Sequence, residues 1–174
     1  THGVGNYGGI LDITVDKGYN PENSQGNGIT ITSPGKRGMH IEGGKVTATS
    51  VTIKDTPQQA VAIDKEANVK ITKCEISETG LAAVRMSNST LNLKNATLKD
   101  SKSYGVYVEK STKDAGKVAN LENVTIIKPG DRGVGNIGSY VVMKDIKVTD
   151  SKGAGIYTSG EKAITNMNQI ELKN

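Results

Sequence analysis

The chain has 174 residues, of which 34% are hydrophobic and 3% aromatic, with no Phe, no Trp and a single Cys. One cysteine excludes an internal disulfide framework, and a net charge of +4 without interleaved aromatic residues argues against nucleic-acid binding. A core that lacks Phe and Trp must be filled by small aliphatic side chains, which favours a narrow, repetitive interior.

Residues 1–28 are the least regular part of the sequence. Apolar residues alternate with polar ones between Ile10 and Val15, as in a short strand, and a turn-rich stretch follows at residues 16–27. We therefore expect an irregular first coil with a loop over residues 16–27. Regular coils are expected from residue 29 to residue 174.

From Val46 onward an eight-residue frame recurs six times, with apolar or nearly apolar residues at its first, third, sixth and eighth positions. The intervals are 22 or 24 residues or close to it, with one of 28, which is typical of repeat architectures. Each frame predicts two strands of period two, separated by a two-residue corner. The frames are Val46/Ala48/Val51/Ile53, Val69/Ile71/Cys74/Ile76, Leu91/Leu93/Ala96/Leu98, Ala119/Leu121/Val124/Ile126, Val141/Met143/Ile146/Val148 and Thr165/Met167/Ile170/Leu172.

A third strand completes each repeat. Seven residues after a frame comes Gly or Ala and then an alternating apolar pair, as in Gly105 followed by Val106 and Val108. Three strands per repeat leave no room for the helix of a leucine-rich repeat. The sequence therefore predicts an all-β fold, a right-handed, three-sided parallel β-helix with coils of roughly 22 residues.

Two features of the repeat are interpreted as scaffold. The second place of the two-residue corner holds Asn95, Asn123 and Asp145 in three coils, and these residue types tolerate a left-handed backbone and can form a hydrogen-bonded ladder. Cys74 occupies an inward frame position, which predicts a buried structural thiol.

A single domain covers residues 1–174, and we expect it to be a segment of a longer solenoid because neither end shows an obvious cap. The corner between the first and second strands carries an insertion at residues 109–117, which is charged, contains glycine and predicts a protruding loop. Its candidate binding residues are Lys110, Lys113, Asp114 and Lys117.

The repeat style resembles a known family. Segments such as Arg37-Gly38-Met39-His40-Ile41 and Ala67-Asn68-Val69-Lys70-Ile71 are similar to the passenger domains of bacterial autotransporters of the pertactin-like kind, from about residue 28 onward. The resemblance implies a right-handed β-helix that is secreted or displayed at the bacterial cell surface as an adhesin or virulence factor. It also implies that the protein contacts the membrane only through a barrel domain outside this chain.

Outward positions of the first strands supply a candidate binding stripe. Tyrosine and arginine give large contact area and hydrogen bonds at interfaces. We expect the partner to be a host-cell or matrix protein, a glycan or a copy of the chain on a neighbouring cell, with no nucleic acid and no cofactor. The stripe consists of His40, Arg85, Tyr107 and Tyr157.

An enzyme is the alternative function, because right-handed β-helices also house polysaccharide lyases and hydrolases. In a pectate-lyase-like reading, Arg85 abstracts a proton or stabilises charge, and Glu42 and Asp64 on neighbouring rungs share a calcium ion. Two acidic side chains do not fill a calcium shell, and no carboxylate pair lies in a recognisable glycosidase motif. Binding is therefore favoured, and no residue is assigned a catalytic role.

Overall fold

The computed structural model describes residues 2–13 and 28–173. Throughout these two ranges the regular elements are β-strands. Within the same ranges, no helix is long and apolar enough to cross a membrane. The loop predicted at residues 16–27 lies outside the described residues.

One parallel sheet, here called sheet 1, contains one strand from each coil, and each strand pairs with its counterpart in the next coil. Its strands are β1 (His2–Tyr7), β4 (Arg37–Glu42), β6 (Val61–Asp64), β8 (Val84–Ser87), β10 (Val106–Glu109), β12 (Val134–Ile137) and β14 (Ile156–Ser159).

The second parallel sheet, sheet 2, contains the longer strands that carry the eight-residue frames. Its strands are β2 (Ile10–Ile13), β3 (Ile29–Thr32), β5 (Lys45–Thr56), β7 (Asn68–Thr79), β9 (Thr90–Ser101), β11 (Ala119–Ile127), β13 (Tyr140–Thr149) and β15 (Ile164–Lys173). The register stacks Val46 on Val69 and Val69 on Leu91, so equivalent residues lie 23 and 22 positions apart. The predicted all-β parallel solenoid is confirmed.

Each long strand of sheet 2 bends at the two-residue corner in the middle of its frame, so one strand supplies two sides of the coil. The bend is at the second of these two residues. A left-handed residue there lets two successive side chains point outward, which shifts the alternation by one. Asn123 Nδ2 donates to Asn95 Oδ1 at 2.9 Å, so the structure shows the Asn95–Asn123 step of the predicted ladder. The corner residues with positive φ are Ser50, Lys73, Asn95, Asn123, Asp145 and Gln169.

The inward frame positions form the core. Ile71 and Leu93 are fully buried and stack on each other across β7 and β9, and burying a side chain of this size contributes about 1.5–3 kcal/mol. Cys74 is buried as predicted, and burial raises the pKa of its thiol to about 12. The thiol is therefore protonated and unreactive at neutral pH.

The small residue seven places after each frame has a packing reason. A Cβ placed on Gly105 would lie 2.5 Å from Ile126 Cγ2 and 2.8 Å from the carbonyl oxygen of Gly133. Gly38 faces Ile53 in the same way, with 2.5 Å to its Cγ2. The last inward residue of the frame in the next coil thus fills the space beside the small residue.

A ladder of buried serines closes the corner between sheet 1 and sheet 2, and the sequence reasoning missed it. The hydroxyl of Ser89 accepts from the Ala67 amide at 3.2 Å, and the hydroxyl of Ser111 accepts from the Ser89 amide at 3.1 Å. The hydroxyl of Ser139, in the next coil, accepts from the Ser111 amide at 3.0 Å. Each hydroxyl therefore satisfies a buried amide one coil away.

Candidate functional site

The outer face of sheet 1 carries the predicted binding stripe. The register aligns His40, Arg85, Tyr107 and Tyr157 in one column, with Ala62 and Gly135 between them. Their surroundings differ strongly along the column. The binding role of the four residues stays a prediction.

At the β1 end of the face, other side chains cover His40, which is 8% exposed. The rings of His2 and Tyr7 on β1 lie against its ring, with centroid distances of 4.7 and 5.8 Å. Burial and then the nearby Arg37 lower the pKa of His40. His40 therefore offers little surface to a partner, which the sequence could not reveal because His2 and Tyr7 lie in the irregular first coil.

The two carboxylates of the calcium alternative are each held by a cation. Lys65 Nζ donates to Glu42 Oε2 at 2.5 Å, and this hydrogen bond lowers the pKa of Glu42. Asp64 accepts two hydrogen bonds from Arg85 Nη1, at 2.8 and 3.1 Å. In the described part of the chain, no three His, Cys, Asp or Glu side chains gather in a metal-binding group. Each of the two carboxylates is thus paired with its own cation, and a calcium ion shared by Glu42 and Asp64 stays a prediction.

Arg85 bridges two carboxylates in the middle of the face. Besides its bonds to Asp64, its Nη2 donates to Glu109 Oε1 at 2.6 Å. Burial opposes its charge, but the hydrogen bonds to Glu109 and Asp64 outweigh that cost and raise the pKa of Arg85. A guanidinium held in this way keeps its positive charge, and the role of Arg85 in the enzyme alternative stays a prediction.

Toward β14 the face becomes aromatic, in what we call the tyrosine–arginine cluster: Tyr104, Tyr107, Arg132 and Tyr157. The rings of Tyr104 and Tyr107 have centroids 4.9 Å apart. Arg132 Cζ lies 4.0 Å from the Tyr157 ring centroid and 5.6 Å from that of Tyr104, within cation–π range. Arg132 Nη1 also donates to the Tyr104 hydroxyl. The cluster spans three consecutive coils, and all four side chains stay partly exposed.

Gly135 makes room for this cluster. A Cβ at this position would lie 2.5 Å from Tyr104 Cε1 and 2.7 Å from Tyr104 Cδ1. The Tyr104 ring therefore rests over the backbone of β12, where every larger residue would displace it. The glycine that interrupts the predicted stripe is thus part of the construction of the cluster.

The predicted loop lies at the corner between β10 and β11, and residues 113–116 are exposed. The Lys113 ammonium lies 5.6 Å from the ring centroid of Tyr140 on sheet 2. An open hollow of about 590 Å³ beside the loop is lined by Lys110, Thr112 and Glu161, among others. Asp114 is exposed and Lys117 is half-buried. The contact to Tyr140 directs Lys113 toward sheet 2 and away from the tyrosine–arginine cluster.

The sequence reasoning missed Tyr104 and Arg132. Neither residue belongs to an alternating pair, because each stands directly before the small residue of its coil, Gly105 or Gly133. That position adjoins a corner, and in these two coils its side chain reaches onto the outer face of sheet 1. The sequence signal that could have indicated them is a bulky residue directly before the small residue in two successive coils.

A family model described as the right-handed β-helix region matches residues 22–138 and, in an overlapping second match, residues 82–171. Together the two matches cover most of the chain and agree with the stacked parallel strands. Comparison with curated proteins and with solved structures gave no match.

Proposed function

We propose that this chain, which belongs to the right-handed β-helix family, is a binding domain that is secreted or displayed at a bacterial cell surface. It acts as an adhesin or virulence factor toward host or neighbouring cells and binds a surface glycan. The observation that carries the proposal is the tyrosine–arginine cluster on the outer face of sheet 1.

The cluster has the composition of a recognition surface. Tyrosine combines a flat apolar ring with a hydroxyl, so one side chain packs against the apolar face of a sugar ring and also hydrogen-bonds. Tyr and Arg are enriched among the residues that dominate binding energies. Because Arg132 already packs against Tyr104 and Tyr157, little side-chain freedom remains to be lost on binding.

Pairing of the acidic groups on the same face favours binding over catalysis. Asp64 and Glu109 share Arg85, and Asp131 lies 3.4 Å from Arg132. A glycosidase needs one carboxylic acid and one free carboxylate at a set separation. The ion pairs on this face instead provide a nearly neutral, hydrogen-bonding surface beside the tyrosines.

The first test compares cell and glycan binding by the wild type and by Tyr107→Ala/Tyr157→Ala. We expect the double variant to lose roughly tenfold or more in affinity, the usual loss when tyrosines dominate binding. Lys70→Ala, on the outer face of sheet 2, is the matched control and should bind as the wild type does. Deleting the exposed residues 113–116, which leaves the buried Ser111 in place, tests the loop in parallel. Unchanged binding by the double variant, with unchanged circular dichroism, would refute the proposed surface.

Two further measurements separate the alternatives. Enzymatic removal of glycans from the target cells should abolish binding, whereas retained binding would point to a protein partner or to self-association. Incubation with polyuronide and calcium, followed by absorbance of unsaturated products, should show no turnover. Turnover that disappears in Arg85→Ala would support the lyase alternative instead.

A further inference from the structure

The only two histidines of the chain meet on the outer face of sheet 1, although 38 positions separate them. His2 lies on β1 and His40 on β4, with ring centroids 4.7 Å apart and planes at 64°. The Tyr7 ring stands nearly perpendicular to that of His40, at 88°. Pairing of β1 with β4 therefore brings three potential metal ligands to one point of the surface.

The two distances from the Tyr7 hydroxyl to the histidines suit a tetrahedral metal ion. Tyr7 Oη lies 3.2 Å from His2 Nδ1 and 3.4 Å from His40 Nδ1. Both separations are long for a hydrogen bond from a hydroxyl, for which about 2.8 Å is usual. Ligands at about 2.05 Å from a tetrahedral Zn²⁺ lie about 3.3 Å from one another. One ion between Tyr7 Oη and either Nδ1 atom would therefore lie at an ordinary ligand distance from both, and the ring contact of 4.7 Å keeps the other histidine beside it.

A carboxylate next to His40 supports the proposed metal site. His40 Nε2 lies 3.4 Å from Glu42 Oε1, and Glu42 is itself fixed by Lys65. Metal-binding histidines commonly donate their other ring N–H to a carboxylate, which orients the ring and makes it a better ligand. Burial and mutual repulsion lower the pKa of His2, and burial and Arg37 lower that of His40, so both rings are neutral at neutral pH.

We propose that His2, Tyr7 and His40 form a binding site for a divalent transition-metal ion of the Zn²⁺ type, with both Nδ1 atoms and the Tyr7 oxygen as ligands. Imidazole nitrogen selects such ions over Ca²⁺ and Mg²⁺, which prefer oxygen. The bound ion joins β1 to β4 and so fastens the first coil to the stack. Lys36 and Arg37 nearby repel a cation, so we expect micromolar affinity. This site is independent of the proposed glycan-binding function.

The test uses the chain without a polyhistidine tag, so that its imidazole NMR signals come from His2 and His40 alone. Titration with ZnCl₂ should shift both sets of signals together, saturate at one equivalent and raise the melting temperature. His2→Gln and His40→Gln should each weaken binding at least about tenfold, and Tyr7→Phe less. CaCl₂ at the same concentration should leave the signals unchanged.

Several results would overturn the site. The first is no shift of the imidazole signals at 1 mM ZnCl₂, and the second is a shift of the signals of one histidine alone. The third is unchanged Zn²⁺ affinity in His2→Gln. Because His2 lies at the edge of the sheet, this variant should fold even if His40→Gln does not. A version with Gly-Ser added before Thr1 separates the site from chelation by the α-amino group. It should bind Zn²⁺ equally well, and loss of binding in this version would also refute the proposal.

Discussion

Strand β10 shows how differently the interior and the outer face of this solenoid are built. Val106 and Val108 point inward and are fully buried; Val106 stacks on a valine in each neighbouring coil, and Val108 stacks on Met86 and on the buried Asn136. Tyr107 and Glu109 point outward, and their partners Arg85 and Tyr104 have no equivalents in most coils. The interior therefore sets the shape through repetition, whereas the outer face gains its chemistry where repetition is broken.

The largest effect should come from filling the space beside a small interior residue. In Gly105→Val the new side chain would meet Ile126 and the Gly133 carbonyl at distances no packed core permits. We expect a loss of about 3 kcal/mol or more in the free energy of unfolding, measured by urea denaturation. Ala115→Val in the exposed loop is the control and should change stability by less than about 0.5 kcal/mol. Equal stability of both variants would mean that the interior is not packed as described.

Loss of one serine from the buried ladder should have an intermediate effect. Ser111→Ala removes the acceptor for the Ser89 amide and leaves this buried N–H unsatisfied, which costs about 1–3 kcal/mol. Ser77→Ala, on the outer face of β7, should be nearly neutral. Hydrogen exchange of the Ser89 amide tests the local effect. The exchange rate should increase in Ser111→Ala and stay low in the control.

On the outer face, removal of Arg85 should cost less and should depend on salt. Arg85→Ala leaves Asp64 and Glu109 without the cation that bridges them, and we expect a loss of about 1 kcal/mol in the free energy of unfolding at low salt. Dissolved ions screen partly exposed charges, so the difference from the wild type should shrink at about 1 M NaCl. Urea denaturation at about 0.05 M and about 1 M NaCl checks this, with Lys99→Ala as control. A loss that stays the same at both salt concentrations would mean that the bridge is not electrostatic.

A still smaller effect, a response to acid, should come from the histidine pair. The pKa values of His2 and His40 lie below the ordinary value of 6.5, so the folded state binds fewer protons than the unfolded chain. Stability should therefore decrease as the pH falls through and below 6.5. Melting temperatures between pH 7.5 and 5.5, in the presence of chelator, should fall slightly for the wild type and less for His40→Gln. An identical decrease in both proteins would assign the response to other groups.

The contrast between interior and face also explains what the sequence could reveal. Inward positions such as Val69 and Ile71 repeat in every coil because each contacts its own equivalent, so their period showed the fold and the corners at Asn95 and Asn123. Ser111 belongs to an equally regular series with Ser89 and Ser139, but a polar residue in a repeat does not by itself indicate whether its side chain faces the interior or the solvent.

The arrangement of the candidate site was much less predictable. The stripe positions His40 and Tyr107 followed from alternation, but whether such a residue is covered depends on side chains from other coils. His2 lies over His40 from an irregular coil, and Arg132 reaches Tyr157 from a corner. These contacts arise from long side chains that cross between coils, and no period in the sequence encodes them.

The most direct test of the central claim is glycan binding by Gly135→Ala. This change removes no aromatic or charged group, and it should cost less than about 1 kcal/mol of stability, because Ala suits a strand at least as well as Gly and the Tyr104 ring can move. If the tyrosine–arginine cluster is the binding surface, displacing Tyr104 should lower affinity several-fold while circular dichroism stays unchanged. Affinity equal to that of the wild type, in a variant whose Tyr104 ring is shown by NMR to have moved, would contradict the claim.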